Sequence, residues 1–168
     1  LYDNLSDFIL AIKDIFSSYL NIIFYLKYFF FMKLYSEKIL KLATEIPNIG
    51  RLEKAEKEIS LRSPICGSKV TIYINFKNGF ISDYKQEIKA CALGQASAAI
   101  FGLNAIGQNY SSVFNLYSCV KNMLENNGDA PTKPFEKYEL LRPAHEFKNR
   151  HDSILLVLDA AKNAFVQN

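Results

Sequence analysis

The alternation of hydrophobic and polar positions is clearest between residues 69 and 88. In KVTIYINF, residues 69–76, an apolar side chain recurs at every second position, which is typical of a strand with one buried face. Asn78 and Gly79 then supply the positive-φ positions of a tight turn, and FISDYKQEI, residues 80–88, returns. The pattern therefore predicts a β-hairpin, and weaker alternation over residues 55–62 predicts a further strand before it.

Helical patterns flank this hairpin. The predicted helices begin at Lys33 and end before Pro47, begin after Cys91 and end at Gly107, begin at Ser111 or Ser112 and end near residue 126, and run from about Asp152 to Phe165. Residues 130–150 are predicted as a loop with one short helical turn around Tyr138. The order predicts an α+β fold, a small antiparallel sheet of about three strands packed against several helices.

Composition and charge narrow the classes of function. The chain has 168 residues, 49% of them hydrophobic and 22% charged, as expected for one globular domain with a real core. The net charge of +3 comes from lysines and arginines interspersed with glutamates, so no nucleic-acid partner is expected. The sequence contains no Ser-His-Asp order, Walker loop or dinucleotide fingerprint, so an ordinary enzyme is not expected either.

The first segment, residues 1–31, is far more apolar and aromatic than the rest of the chain. Its uncharged run, residues 15–26, is shorter than the roughly 18 residues of a spanning helix. Three interpretations remain: a membrane-associating helix, an extra helix that packs on the domain, or an upstream stretch outside the native product. The third is favoured because Met32 begins an ordinary amphipathic domain, residues 32–168. A membrane partner is therefore not expected unless residues 1–31 belong to the native product.

The three cysteines are widely spaced and form no Cys-x-x-Cys pair, which favours a reducing cytoplasm over a disulfide framework. The turn at Asn78 pairs residues whose numbers total about 157, as those of Cys66 and Cys91 do. Antiparallel pairing therefore brings these two thiols to one edge of the sheet. The alternative is that both are buried core cysteines, as we expect for Cys119 on its helix.

The surroundings of the two thiols favour metal or sulfur chemistry. Cys91 begins a helix of small residues, where unpaired backbone N–H groups favour the thiolate. Gly67 follows Cys66 and leaves backbone room for a metal ion or cluster to approach. Both thiols lie at junctions between loops and regular elements. This shared position favours metal or sulfur chemistry over the interpretation of the two residues as buried core cysteines.

Four segments resemble the NifU-like iron–sulfur cluster scaffold family of the IscU and SufU types. They are SPICGSKVTIYI, ACALGQASAAIFG, YSEKILKLATEIPNIGRL and RHDSILLVLDA, and the similarity covers residues 33–166. Cys66 matches the first family cysteine and Cys91 the second, while Ser68 stands where the family has the aspartate of Cys-Gly-Asp. The resemblance implies a SufE/NifU-like α+β fold.

The third family cysteine is replaced in this chain. Asp152 occupies its position when the sequence is compared with the IscU type, and a one-residue gap against the SufU type makes Ser153 the match. His151 matches a histidine of the IscU type. Asp152 is about as well explained as the N-cap of the last helix as it is as a metal ligand. His151 can likewise be a surface or capping residue and not a ligand. His145 matches no motif position and is read as a loop residue.

The resemblance implies a scaffold or metal-carrying accessory in iron–sulfur cluster assembly. Cys66 and Cys91, with His151 and Asp152 as further ligands, would bind iron, a [2Fe–2S] cluster or zinc. The implied partners are a cysteine desulfurase and recipient apo-proteins. Two alternatives stay open: an adaptor without metal that docks a desulfurase, and a sulfur acceptor that acts through Cys91.

Overall fold

The computed structural model describes residues 19–20, 22–25 and 34–166, and it divides the chain into two units, residues 1–34 and 35–168. In the first unit, residues 19–20 and 22–25 are helical and exposed, and Leu34 is buried. The prediction for residues 1–31 otherwise falls outside the described residues. Within the described part of the chain, no helix is long and apolar enough to cross a membrane.

The second unit has the predicted α+β architecture. Its helices are α1 (Glu37–Thr44), α2 (Ala92–Asn104), α3 (Tyr110–Asn126) and α4 (Lys148–Val166), with a 3-10 helix at Glu136–Glu146, and its strands are β1 (Lys57–Arg62), β2 (Lys69–Lys77) and β3 (Phe80–Lys89). The strands form one antiparallel sheet in the order β1-β2-β3. The predicted hairpin is confirmed as β2 and β3, with Asn78 at φ 56° and Gly79 at φ 80° in its turn.

The register of the hairpin differs from the expected one by one residue near the thiol end. Lys69 pairs with Lys89, because the register shifts between Asn75 and Phe76. Such a bulge inserts an unpaired residue and increases the local twist. The shift does not alter which end of the sheet carries the two thiols, since the β1–β2 loop and the β3–α2 junction still lie at the same end.

The small-residue helix α2 lies against both the sheet and α4. Nine of its residues are buried, from Leu93 and Gly94 through Gly102. Ser97 Oγ donates to the carbonyl oxygen of Ile154 on α4 at 2.6 Å, and a Cβ on Gly102 would lie 2.5 Å from Gln86 Nε2 on β3. Side chains this small let the helix approach its neighbours closely, as the sequence predicts.

Two helices begin about four residues away from their predicted starts. Helix α1 starts at Glu37 rather than Lys33, because Ser36 Oγ accepts a hydrogen bond from the backbone N–H of Ile39 and caps the helix there. Helix α4 starts at Lys148 rather than near Asp152. Asp152 is therefore the fifth residue of the helix, and the reading of it as the N-cap is wrong.

The segment predicted as a loop with one short turn, residues 130–150, contains an 11-residue 3-10 helix at Glu136–Glu146. Buried side chains recur at every third position, at the N-cap Phe135 and then at Tyr138, Leu141 and Ala144, which is the period of a 3-10 helix. His145 belongs to this helix and not to a loop, and its Nδ1 lies 2.9 Å from the carbonyl oxygen of Leu124.

Candidate functional site

The β1–β2 loop folds into a tight turn that presents Cys66. The backbone N–H of Ser63 donates to the carbonyl of Ser68 at 2.8 Å, and the N–H of Gly67 donates back to the carbonyl of Ser63 at 3.0 Å. Gly67 has φ 70°, a conformation that glycine adopts without steric cost. The turn leaves Cys66 half-buried at the end of the sheet.

Helix α2 places the second thiol. Cys91 is the N-cap of α2, with φ −66° and ψ 166°, and its side chain makes no capping hydrogen bond to the helix backbone. The first helical hydrogen bond runs from the N–H of Gln95 to the Cys91 carbonyl at 2.9 Å. The half-buried thiol therefore stands at the helix N-terminus, as predicted, without being used as a cap.

Two serine hydroxyls connect the thiols. Cys66 Sγ lies 3.1 Å from Ser68 Oγ, Ser68 Oγ lies 3.1 Å from Ser153 Oγ, and Ser153 Oγ lies 3.3 Å from Cys91 Sγ. Ser68 is 4% exposed and Ser153 is 1% exposed. The two cysteines are thus part of one continuous polar network at one edge of the sheet, where the hairpin register predicts them, and neither is sealed in an apolar core.

Gly94 on α2 explains how Ser153 reaches this position. A Cβ built on Gly94 would meet the Ser153 hydroxyl, and it would lie 3.0 Å from the Ser153 carbonyl oxygen. The missing side chain therefore allows α4 to pack directly on the first turn of α2. The small residue three positions after Cys91 is a requirement of the site and not only of the core.

The serine hydroxyls also change the acidity of one thiol. Partial burial raises the pKa of Cys66, but hydrogen bonds from Ser63, Ser68 and Ser153 outweigh it and hold the pKa below its ordinary value. Donors to the sulfur stabilise the thiolate, the form that binds metal ions and attacks sulfur.

Cys119 differs from the two site cysteines. Burial, helped by the carboxylate of Asp129, raises the pKa of its thiol. Its Sγ lies 3.4 Å from the carbonyl oxygen of Asp129, and the residue is only half-buried. The expectation that Cys119 packs in the core is therefore wrong, and the residue serves as a reference thiol outside the network.

His151 and Asp152 have other neighbours than the thiols. His151 is 6% exposed, and its Nε2 lies 2.9 Å from the carbonyl oxygen of Ala144. Together with Glu125 and Lys148, His151 and Asp152 line a separate cleft beside α4. Among the residues that the structure describes, no three His, Cys, Asp or Glu side chains are grouped closely enough to hold a metal ion.

The donor set at the thiol edge is therefore two cysteines and two serine hydroxyls. A thiolate pair suits two ligand positions on iron, zinc or an iron–sulfur cluster. A [2Fe–2S] cluster takes about four such ligands, so the described residues supply part of a cluster site and not all of it.

The sequence indicates Ser68 and Ser153 as replacements for family residues, but it does not identify them as the link between the thiols. The one-residue gap that aligned Ser153 was the only available signal.

Comparison with known proteins finds a family model that matches more than half of the chain. The model of the NifU-like N-terminal domain matches residues 34–138. A crystal structure of a nitrogen-fixing NifU-like protein (N-terminal) from Brucella abortus superposes with a TM-score of 0.79 at 33% identity, covering 82% of this chain and 95% of that one.

Curated relatives are similar over shorter stretches. The iron–sulfur cluster assembly scaffold protein IscU of Thermotoga maritima is 31% identical over 86 residues, 51% of this chain and 61% of its own length. The scaffold protein IscU 1 of Archaeoglobus fulgidus is 31% identical over 67 residues, 40% of this chain and 44% of its own length. The matched part of the chain thus spans less than two thirds of these relatives.

Proposed function

This chain belongs to the NifU-like N-terminal domain family, and from that membership we propose that it serves iron–sulfur cluster assembly by holding iron or a [2Fe–2S] cluster on Cys66 and Cys91. The iron or cluster is cargo that passes to other proteins. The observation that carries the proposal is the hydroxyl network that joins the two thiols at one edge of the sheet. Zinc is a competing ion, since it accepts the same thiolate ligands.

The chain's own residues have three tasks in this function. Cys66 supplies a thiol whose hydrogen bonds favour the thiolate, and Cys91 supplies a second thiol at the N-terminus of α2. Ser153 and Ser68 hold the two sulfur atoms near one another through their hydroxyls. His151 and Asp152 are not assigned to the cargo, because they line the neighbouring cleft with Glu125 and Lys148.

The proposed partners are a cysteine desulfurase as the source of sulfur and apo-proteins as recipients. The Thermotoga maritima and Archaeoglobus fulgidus relatives are scaffold proteins by name, and a scaffold needs both a supplier and a recipient. The three described cysteines are all free, which suits a reducing compartment such as the cytoplasm. The chain would act as a carrier and not as an enzyme.

Anaerobic reconstitution with ferric iron and sulfide tests the proposal. The wild-type protein should retain iron after desalting and should show visible charge-transfer bands. Cys66→Ser and Cys91→Ser should each lose most of the bound iron, whereas the matched variant Cys119→Ser should retain it. If the wild type holds neither iron nor zinc, the proposal fails, and the metal-free adaptor is then the better description of the protein.

A further inference from the structure

The backbone of the sheet brings the two thiol-bearing residues next to each other. Lys69 on β2 lies opposite Lys89 on β3. Extending this register by two residues places Cys91 opposite Gly67, the neighbour of Cys66 in the β1–β2 turn. Opposite Cα atoms of an antiparallel pair lie about 4.5–5.5 Å apart, and a disulfide joins Cα atoms about 4.4–6.8 Å apart. The backbone at this end of the sheet is therefore suitably spaced for a disulfide between the two cysteines.

The two side chains meet at one hydroxyl. Ser153 Oγ lies 3.3 Å from Cys91 Sγ, and the same hydroxyl is a hydrogen-bond partner of the Cys66 thiol. Both cysteines are half-buried, so a small solute has access to them. The staggered rotamers of a cysteine place its sulfur at three points around the Cα–Cβ bond. Rotation of these side chains therefore gives each sulfur a path towards the other.

The serine hydroxyls between the thiols stay paired when the sulfurs turn away. Ser68 Oγ and Ser153 Oγ lie 3.1 Å apart, and these two residues are 4% and 1% exposed. A buried hydroxyl that loses every partner destabilises the fold, but here each hydroxyl retains the other. Disulfide formation therefore leaves no hydroxyl of this network unpaired.

Cys119 has a different arrangement around its thiol. Its Sγ lies 3.4 Å from the carbonyl oxygen of Asp129, and the residue lines another cleft, with Leu116 and Phe135 among its walls. It is half-buried and free, as the two site cysteines are. The chain therefore carries an internal reference thiol for any reaction of the pair.

We propose that Cys66 and Cys91 form a redox-active dithiol, which closes into a reversible disulfide by exchange with a small disulfide molecule and so blocks the cargo site. One cysteine thiolate attacks a sulfur of the small disulfide and releases half of that molecule as a thiolate. The other cysteine thiolate attacks the protein sulfur of the mixed disulfide and releases the second half. The protein loses two electrons and two protons, and the small disulfide becomes two thiols.

The effect on the cargo rests on the proposed function, since the same two sulfur atoms hold the iron. A sulfur bound in a disulfide is no longer the thiolate that binds metal, so the oxidised chain is unable to load until it is reduced. Disulfides in reducing compartments are typically transient and redox-sensing. The pair thus couples loading of the carrier to the ratio of small thiols to small disulfides around it.

Oxidised glutathione is the probe for the dithiol. The metal-free chain is equilibrated without oxygen at set ratios of reduced to oxidised glutathione, the remaining thiols are alkylated after an acid quench, and peptide mass spectrometry identifies every sulfur. We expect a cross-link between Cys66 and Cys91 at an oxidised-glutathione concentration at least about tenfold below the one that converts half of Cys119 to its mixed disulfide, because the second exchange is intramolecular.

Single variants and loaded protein serve as controls. Cys66→Ser and Cys91→Ser should each stop at a mixed disulfide on the remaining site cysteine, whereas Cys119→Ser should cross-link as the wild type does. Wild-type protein reconstituted with ferric iron and sulfide and then desalted should need at least about tenfold more oxidised glutathione than the metal-free chain, because bound cargo protects the sulfur atoms that hold it.

The contrary outcomes separate this inference from the proposed function. If the cross-link is absent, joins only different chains, or needs as much oxidised glutathione as Cys119 does, the dithiol is refuted while iron retention stands. If iron-retaining and metal-free protein cross-link equally, the disulfide does not block the cargo site. If the reconstituted wild type retains no iron, the proposed function fails, and the cross-link in the metal-free chain alone decides whether the dithiol exists.

Discussion

Ser153 Oγ on α4 lies 3.3 Å from Cys91 Sγ, and the same oxygen lies 3.1 Å from Ser68 Oγ. One buried hydroxyl therefore stands between the two thiols of the site. The contact depends on helix packing, because α2 carries a glycine at the point where Ser153 meets it. The geometry of the thiol pair is thus set by the α2–α4 interface as well as by the hairpin.

Gly94→Ala should disturb this interface. The added Cβ meets the Ser153 hydroxyl and carbonyl, and overpacking of this kind costs about 1–3 kcal/mol of unfolding free energy. Iron retention should fall as well, because Ser153 has to move away from Cys91. The checks are urea denaturation and iron content after reconstitution.

Gly102→Ala is the matched control, since it lies on the same helix and its Cβ would meet the amide of Gln86 instead. We expect it to reduce stability without a comparable loss of iron. Similar iron retention in the two variants would show that the glycine at position 94 serves packing alone.

The pH dependence of thiol alkylation should differ between Cys66 and Cys119. A thiol reacts as its thiolate, whose fraction rises as the pH passes upward through the pKa. The pKa of Cys66 is lowered and that of Cys119 is raised, so the alkylation midpoint of Cys66 should lie at the lower pH. Iodoacetamide labelling followed by peptide mass spectrometry gives both midpoints in one sample of the metal-free protein.

Ser68→Ala should move the Cys66 midpoint upward, because it removes a hydrogen bond that lowers the pKa. Ser111→Ala, at an exposed position on α3, should not. A Cys66 midpoint at or above that of Cys119 in the wild type would contradict the assignment of the serine hydroxyls as thiolate donors.

The hairpin and the small-residue helix were predictable because their signals are local. Period-two alternation and an Asn-Gly turn define β2 and β3, and a run of alanines and glycines defines a helix that packs closely. The same local reasoning brought Cys66 and Cys91 to one edge. It could not show which residue of α4 reaches the thiols, since that depends on how two helices pack.

The 3-10 helix and the start of α4 were missed for a different reason. Buried positions at every third residue, from Phe135 to Ala144, match neither the α-helical nor the strand period. Pro143 also lies inside the segment, and an interior proline disfavours an α-helix. Because the segment reads as a loop, the sequence predicts a late start for the last helix, which makes Asp152 a candidate N-cap. The interpretation of Asp152 as a ligand comes from the resemblance to the family and not from the helix start.

Gln86→Leu should lower the free energy of unfolding more than a similar substitution at a half-buried glutamine does. The side chain is 0% exposed; its Oε1 accepts from the hydroxyl of Tyr84 at 2.9 Å, and its Nε2 donates to the carbonyls of Pro47 and Ala98. Removing the amide leaves these groups without their partner, at a cost of about 1–3 kcal/mol for a buried polar group. Urea denaturation compared with Gln95→Leu, at a half-buried position on α2, measures the difference, and equal midpoints would refute it.

Ser153→Cys compared with Asp152→Cys decides which residue of α4 belongs to the thiol site. In the structure Ser153 Oγ contacts the network, whereas Asp152 lines the cleft with Glu125 and Lys148. A sulfur at position 153 therefore joins Cys66 and Cys91, and we expect it to slow the loss of iron to a chelator by about tenfold or more, as for changes close to a metal. Asp152→Cys should not slow that loss, because its thiol would lie in the other cleft. If instead only Asp152→Cys slows iron loss, the third ligand position is at residue 152, and the assignment of Ser153 to the site is wrong.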